Sequence, residues 1–152
     1  MLAPGREPMS RAEFMARIEA IGRSLAVAGV KRGDVVAMVL PDGINFLLTL
    51  LGIASVAACA PLNPASSRTE LEFYLGELRP RAVVVERRDC LAAAVASAMS
   101  IKVFEDVEVR QGNRRGREME SAESDDTALV LFTSARWAST SAGRCRAVAG
   151  HW

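Results

Sequence analysis

Short continuous apolar runs alternate along this chain with longer stretches whose apolar residues recur every three or four positions. Val35-Val36-Ala37-Met38-Val39-Leu40, Ala82-Val83-Val84-Val85 and Ile101–Phe104 are runs of the first kind, the signature of strands covered on both faces. Ala57–Leu62, stopped by Pro61 and Pro64, and Thr127–Phe132 carry the same strand pattern. Phe14, Ile18, Ile21 and Leu25 fall on one helical face, and Leu71, Leu75 and Leu78 on another. Ser10–Glu13 and Ser67–Glu70 have a hydroxyl and a carboxylate three residues apart, the capping box that opens a helix. Gly29 is placed as a helix stop, Arg79-Pro80 as another, and Asp42 as the cap of the apolar stretch that follows it.

The pattern predicts strands near 35–40, 57–62, 82–85, 101–104 and 127–132. Helices are predicted near 10–28, 43–56, 68–78 and 89–99. Strict alternation of the two calls for an α/β fold: a partial doubly wound, mainly parallel sheet with flanking helices.

Two stretches break the rhythm. Glu105 to Asp126 is polar, mixes Arg114-Arg115-Gly116-Arg117 with several acids, and reads as a long mobile loop. The interleaved acids cancel the arginines, which argues against an RNA-binding patch. From residue 135 onward neither period, caps nor turn logic is visible, and the residues are those of GC-heavy codons. The expected organisation is a partial domain over 1–134 and an unpatterned tail over 135–152, disordered or written out of frame. The DNA after codon 134 would decide between these.

Ile44 to Ala60 carries no charge, yet it falls short of the roughly 20 apolar residues of a span, and Asn45, Thr49, Gly52 and Ser55 interrupt it. A helix apolar nearly all round is what the centre of an α/β domain needs, so no membrane span is expected. At 152 residues, half of them hydrophobic, the chain can bury a core. Its net charge of +1 gives no global field for nucleic acid or an anionic membrane. Cys59, Cys90 and Cys145 are far apart, no Cys-x-x-Cys pair exists, and His151 is the single histidine. Incidental thiols in a reducing, cytoplasmic compartment are expected, with no zinc site. Asp125-Asp126 precede a strand and read as a solvated loop end, not a metal site. Gly-x-Ser-x-Gly is absent, so Ser134 has no support as a hydrolase nucleophile.

The chemistry-bearing feature is Thr127-Ala-Leu-Val-Leu-Phe-Thr133-Ser134, an apolar run ending in two hydroxyls, as when a strand delivers a phosphate-binding loop. Such a loop needs glycines to aim successive N–H groups at an anion, and usually a lysine. Here Arg136 and Trp137 stand where glycine would be wanted, and no lysine follows Lys102. Ser139, Thr140 and Ser141 supply further hydroxyls without flanking glycines.

The ordered landmarks resemble the N-terminal portion of AMP-forming acyl-CoA synthetases and their adenylate-forming relatives. These are Gly29-Val30-Lys31-Arg32-Gly33-Asp34-Val35-Val36-Ala37, Leu40-Pro41-Asp42, Ala60-Pro61-Leu62-Asn63-Pro64 and Thr69-Glu70-Leu71-Glu72-Phe73-Tyr74-Leu75. Ala60 to Leu75 looks most like the oxalate–CoA ligase branch. The resemblance implies ATP-dependent adenylation of a carboxylic acid followed by thioesterification with CoA, with magnesium offsetting phosphate charge. In that family Phe132-Thr133-Ser134 would open the loop that wraps ATP, so Thr133 and Ser134 are the cofactor-binding candidates. The loop's glycines, its Pro-Lys end and the catalytic lysine have no counterpart here.

The expected chain is therefore a truncated synthetase, cut at both ends, binding neither ATP, magnesium nor CoA usefully and carrying no catalytic or metal residue. Two alternatives remain open. One is an interaction module docking on another chain, such as a complementary synthetase fragment. The other is a small independent nucleotide-binding α/β domain, which would show a pocket with convergent polar groups at the carboxyl ends of its strands.

Overall fold

A computed structural model of the protein describes residues 9–111, 126–132 and 142–146. Helix α1 spans Arg11–Val27. It opens on the capping box, with Ser10 Oγ accepting from the Glu13 N–H at 3.2 Å and Glu13 Oε2 accepting from the Ser10 N–H at 3.0 Å. It closes where Gly29 takes φ +92°, so that the Val30 N–H reaches the Leu25 carbonyl and the Gly29 N–H that of Ala26. That pair of bonds satisfies carbonyls the helix end would otherwise orphan, and the left-handed turn it needs favours glycine. Strand β1 (Val35–Val39), helix α2 (Ile44–Ala54) and strand β2 (Ala58–Pro61) follow. Helix α3 (Arg68–Leu78) starts on the second capping box, Ser67 with Glu70, and ends at Arg79 in the left-handed region, φ 45°. Then come β3 (Ala82–Val85), α4 (Leu91–Ala98), β4 (Lys102–Glu105), α5 (Asp106–Gln111), β5 (Thr127–Phe132) and β6 (Ala142–Arg146).

The six strands form one sheet in the order β4-β3-β1-β2-β5-β6. β1 to β5 are mutually parallel where they pair, and β6 runs antiparallel to β5. Strand residues alternate between two cores, as the pleat requires. Val36, Met38, Cys59 and Val84 pack with Ile18, Ile21 and Leu25 of α1, Leu48 and Ile53 of α2, and Val109 of α5. Ala37, Val39, Val83 and Val85 pack instead with Leu71 and Leu75 of α3 and with Ala92, Ala93, Val95 and Ala96 of α4. Helices therefore cover both faces, α1, α2 and α5 on one and α3 and α4 on the other. The expected α/β architecture is present, with four helices and five strands inside the anticipated ranges to within a few residues.

Three expectations need correction. Asp42 does not cap α2. Gly43 is the N-cap residue, at φ +146°, and no side chain hydrogen-bonds there. The polar stretch after Glu105 was expected to be loop, yet residues 106–111 form α5. Val109 is 2 % exposed and seals the first core, while Asp106 finds partners in Thr49 and Arg110. Two tertiary anchors thus stabilise a helix whose own sequence shows little period. The tail was expected to be disordered or written out of frame; residues 142–146 are not disordered but extend along β5, pairing from Phe132↔Ala142 to Thr127↔Arg146. Ladder pairing uses backbone groups, so it needs no hydrophobic alternation. Residues 112–125, 133–141 and 147–152 lie outside the described residues, and with them most of the expected loop and tail.

Among the described residues no helix is long and apolar enough to cross a membrane. The uncharged stretch at 44–60 is instead α2, a turn and β2. Gly52 sits at the crossing of α2 over α1, where a Cβ would lie 2.4 Å from Ile21 Cγ2.

Candidate functional site

In an open parallel sheet, loops leaving two adjacent strands in opposite directions create a crevice at their carboxyl ends. Here those strands are β1 and β3. The connection from β1 passes through α2 on one face to β2, and that from β3 passes through α4 on the other face to β4. A cleft of about 380 Å³ opens there, lined by Leu40 to Asn45 after β1, Glu86 after β3, and Asp106, Val107 and Arg110 of α5.

The wall formed by α5 is fixed by two polar clamps. Asp106, 4 % exposed, accepts the Thr49 hydroxyl of α2 at 2.6 Å on Oδ1 and the Arg110 Nε at 2.8 Å on Oδ2. A buried carboxylate persists only when its lone pairs are answered in this way. On the other side Arg88 Nη2 donates to both oxygens of Glu108, at 2.8 and 2.9 Å, and the Arg88 N–H donates to Glu105 Oε1 at 2.8 Å. The Glu105 N–H and the Arg88 guanidinium together hold the Glu108 carboxyl below its ordinary value. By contrast, the side chains of Asp42, Asn45 and Glu86 hydrogen-bond to no other described residue.

Thr133 and Ser134 follow β5, two strands from this cleft, and lie outside the described residues. The placement of both lysines is described. Lys31 precedes β1 and so lies at the amino ends of the parallel strands, opposite the end where β5 releases Thr133. Lys102 is on edge strand β4, where its Nζ donates to the Ala28 carbonyl at the end of α1, 3.2 Å away, and lies 5.0 Å from the Phe104 ring centre. Neither can neutralise a phosphate at the end of β5. Asp126, considered above as half of a loop-end pair, forms an ion pair with Arg32 at 2.6 Å and joins the loops preceding β5 and β1. No group of three or more His, Cys, Asp or Glu that could hold a metal occurs among the described residues. Cys59 is buried under α2, and burial pushes its thiol up to about 12. Cys90 is half-buried and caps α4, its Sγ accepting from the Ala93 N–H at 3.4 Å.

From the sequence, a pocket at the strand carboxyl ends was the mark of an independent nucleotide-binding domain, and none of its residues was named. Its three segments are separated by some forty and twenty residues, and only the β1–β3 pairing and α5 bring them together.

A two-layered helical cover on a parallel sheet with this strand order defines the N-terminal part of the adenylate-forming fold. The chain belongs to the AMP-binding enzyme family, whose sequence model matches residues 3–135. It is 30 % identical over 103 residues to a probable CoA ligase, CCL9, of Humulus lupulus, covering 66 % of this chain and 20 % of that protein. It is 33 % identical over 85 residues to an oxalate–CoA ligase of Arabidopsis thaliana, covering 55 % and 16 %. The aligned region thus spans a fifth or less of these two relatives. Among solved structures, ATP-bound MatB from Rhodopseudomonas palustris superposes with a TM-score of 0.81 at 22 % identity, over 94 % of this chain and 30 % of that one. The o-succinylbenzoate CoA synthetase of Bacillus subtilis, solved with its acyl-adenylate intermediate, gives 0.79 at 17 %, over 91 % and 36 %. These two likenesses are likenesses of fold.

Proposed function

We propose that this chain is the N-terminal segment of an AMP-dependent acyl-CoA ligase and that, by itself, it does not adenylate a carboxylic acid. The observation that carries the reading is the match over residues 3–135 to the AMP-binding enzyme family, together with an aligned region that covers only 20 % of the CoA ligase of Humulus lupulus. The family reaction joins a carboxylic acid to ATP and then to CoA. In this polypeptide Thr133 and Ser134 are the two residues that correspond to the ATP-wrapping loop.

The residues present do not fit the nucleotide. A triphosphate requires backbone N–H groups preorganised by glycine and a cationic partner. Arg136 and Trp137 replace the glycines, Lys102 is engaged at the Ala28 carbonyl, and Lys31 precedes β1 at the amino ends of the strands. Loss of one preorganised donor costs about 3 kcal/mol in such a site, and here nearly the whole set is missing. The remaining support comes from the branch likeness to the oxalate–CoA ligase over 85 residues.

The test is ATP–pyrophosphate exchange with the purified 152-residue chain and a panel of mono- and dicarboxylic acids. Exchange is expected to stay at the level of a heat-killed control. Exchange clearly above it would overturn the reading and make the chain an independent nucleotide enzyme.

A further inference from the structure

Strand β5 has one covered face and one open one. Val130, on the α3 side, is 6 % exposed and packs with Ala58, Ala60 and Leu78. Leu129 and Leu131 face the other way. Leu129 pairs with Cys59 of the α1–α2 core, and the pleat returns every second residue to the same face. Leu131 is 37 % exposed there. The topology explains why. Crossovers between parallel strands are right-handed, so a helix leaving β5 for a parallel strand farther out would lie on the α2 side and cover it. Antiparallel β6 takes that place in the sheet, and an antiparallel neighbour needs no crossover.

Helix α2 lies on the same face, over the neighbouring strands. It has no charged residue anywhere on its circumference, whereas α1 and α3 both carry acids and arginines. Leu48, Thr49, Gly52 and Ile53 are its buried side, and Leu47, Leu50, Leu51 and Ala54 on the other arc are half-buried. A helix that is apolar all round belongs inside an assembly rather than at its surface.

We propose that α2 and the open side of β5 form the contact between two copies of this chain. A two-fold interface sets each residue against itself or its counterpart, so a face that carries charge is repelled by its own copy. This face has none, and burial of its leucines favours association without opposition. Leu47 with Leu51, and Leu50 with Ala54, are four residues apart, and ridges of that spacing on two helices interdigitate. Helix α4 is uncharged too, but beyond Leu91 its exposed residues are the small Ala94, Ser97 and Ala98, which raise no ridge. One helix and one strand per copy make a small interface, so the dimer is weak, with a dissociation constant on the order of 10 μM.

Sedimentation equilibrium of the full 152-residue chain tests this between about 1 and about 500 μM. The mass is expected to rise from one chain to two. Leu131→Glu and, separately, Leu47→Glu should each weaken the dimer by about tenfold or more, while Leu91→Glu on α4 leaves it unchanged; far-UV circular dichroism confirms that each variant is folded. Hydrogen exchange of the unaltered chain gives a reading that needs no variant. Raising the concentration should slow exchange in 47–54 and 127–131 and leave 91–98 and 142–146 as they were. The proposal is overturned if the mass stays at one chain throughout, if the folded variants at Leu47 and Leu131 dimerise like the parent, or if the added protection falls on α4 or on the β6 edge instead. None of these readouts involves ATP, so this interface and the loss of adenylation stand or fall separately.

Discussion

Replacing Gly52 by alanine isolates the contact on which the α1–α2 packing turns. A Cβ built at Gly52 would lie 2.4 Å from Ile21 Cγ2, 2.5 Å from Ile21 Cβ and 3.3 Å from the Ile18 carbonyl oxygen. Carbon atoms rest at about 3.5–4.0 Å, so the overlap exceeds an ångström. Rotating Ile21 moves Cγ2 but not Cβ, whose place is set by the backbone of α1, and a β-branched side chain in a helix has one strongly preferred χ1. The helices must part, although Ile21 is fully buried in the first core. Overpacking of this kind costs about 1–3 kcal/mol, against about 1 kcal/mol gained from the better helix propensity of alanine. The backbone-fixed clash puts the cost at the upper end, leaving a net loss of about 2 kcal/mol. Urea denaturation followed by far-UV circular dichroism reads it as a lower midpoint at unchanged slope. Ile21→Ala alone should cost about 2–5 kcal/mol, and less in the Gly52→Ala background, where it removes the Cγ2 overlap but leaves the one with Ile21 Cβ. A Gly52→Ala chain as stable as the parent would refute the close crossing.

Thr49→Val removes the donor to the buried Asp106 carboxylate and should cost about 1–3 kcal/mol in the same urea assay; an unchanged midpoint would show that Asp106 does not depend on Thr49. The Ser67 N–H, and then its hydroxyl, hold the Glu70 carboxyl below its ordinary value of 4.5, as Ser10 does for Glu13. Their support is complete above the ordinary value and disappears as pH falls through the lower folded value. The melting-temperature gap between the parent and Glu70→Gln should therefore narrow on titration from about pH 6 to about pH 3, and a gap that widens would contradict the sign. Iodoacetamide at about pH 8 should label Cys90 in the native protein and Cys59 only after unfolding, because a buried thiol pushed up to about 12 offers almost no thiolate. Peptide mapping separates the two, and native labelling of Cys59 would disprove its burial.

Local chemistry was the most legible part of the sequence. Both capping boxes, the Gly29 stop and the apolar runs depend on residues within a turn of one another, and each stands where its spacing put it. Asp42 shows the limit of that reading. A cap residue and the glycine beside it compete for one position, and the chain uses Gly43, whose φ of +146° lets α2 leave β1 abruptly. Helix α5 was invisible for a different reason. Its anchors, Thr49 and Arg88, lie 57 and 20 residues from the groups they bind, so no window along the sequence contains them. Strand β6 takes its pairing from β5 rather than from any alternation of its own. The cleft combines the last two difficulties, because each of its walls is ordinary loop or helix sequence until the β1–β3 register places them side by side. Gly52 looked like an interruption in an apolar stretch. That α1 crosses over it is a tertiary fact that periodicity does not contain.

The strand order also determines how the sheet can grow while the chain is being synthesised. β1 is made first and occupies a central position. β2 adds to one of its edges, β3 to the other, β4 to β3, and β5 to β2. Each strand as it emerges meets a free edge beside a strand already made, and none has to be threaded between two that are already paired. Ribosomal synthesis is slow compared with local structure formation, so the nascent chain can extend its sheet outward from β1 in order of appearance. The exposed edges move with it, from β3 and β2 after three strands to β4 and β2 after four, β4 and β5 after five, and β4 and β6 in the six-stranded sheet.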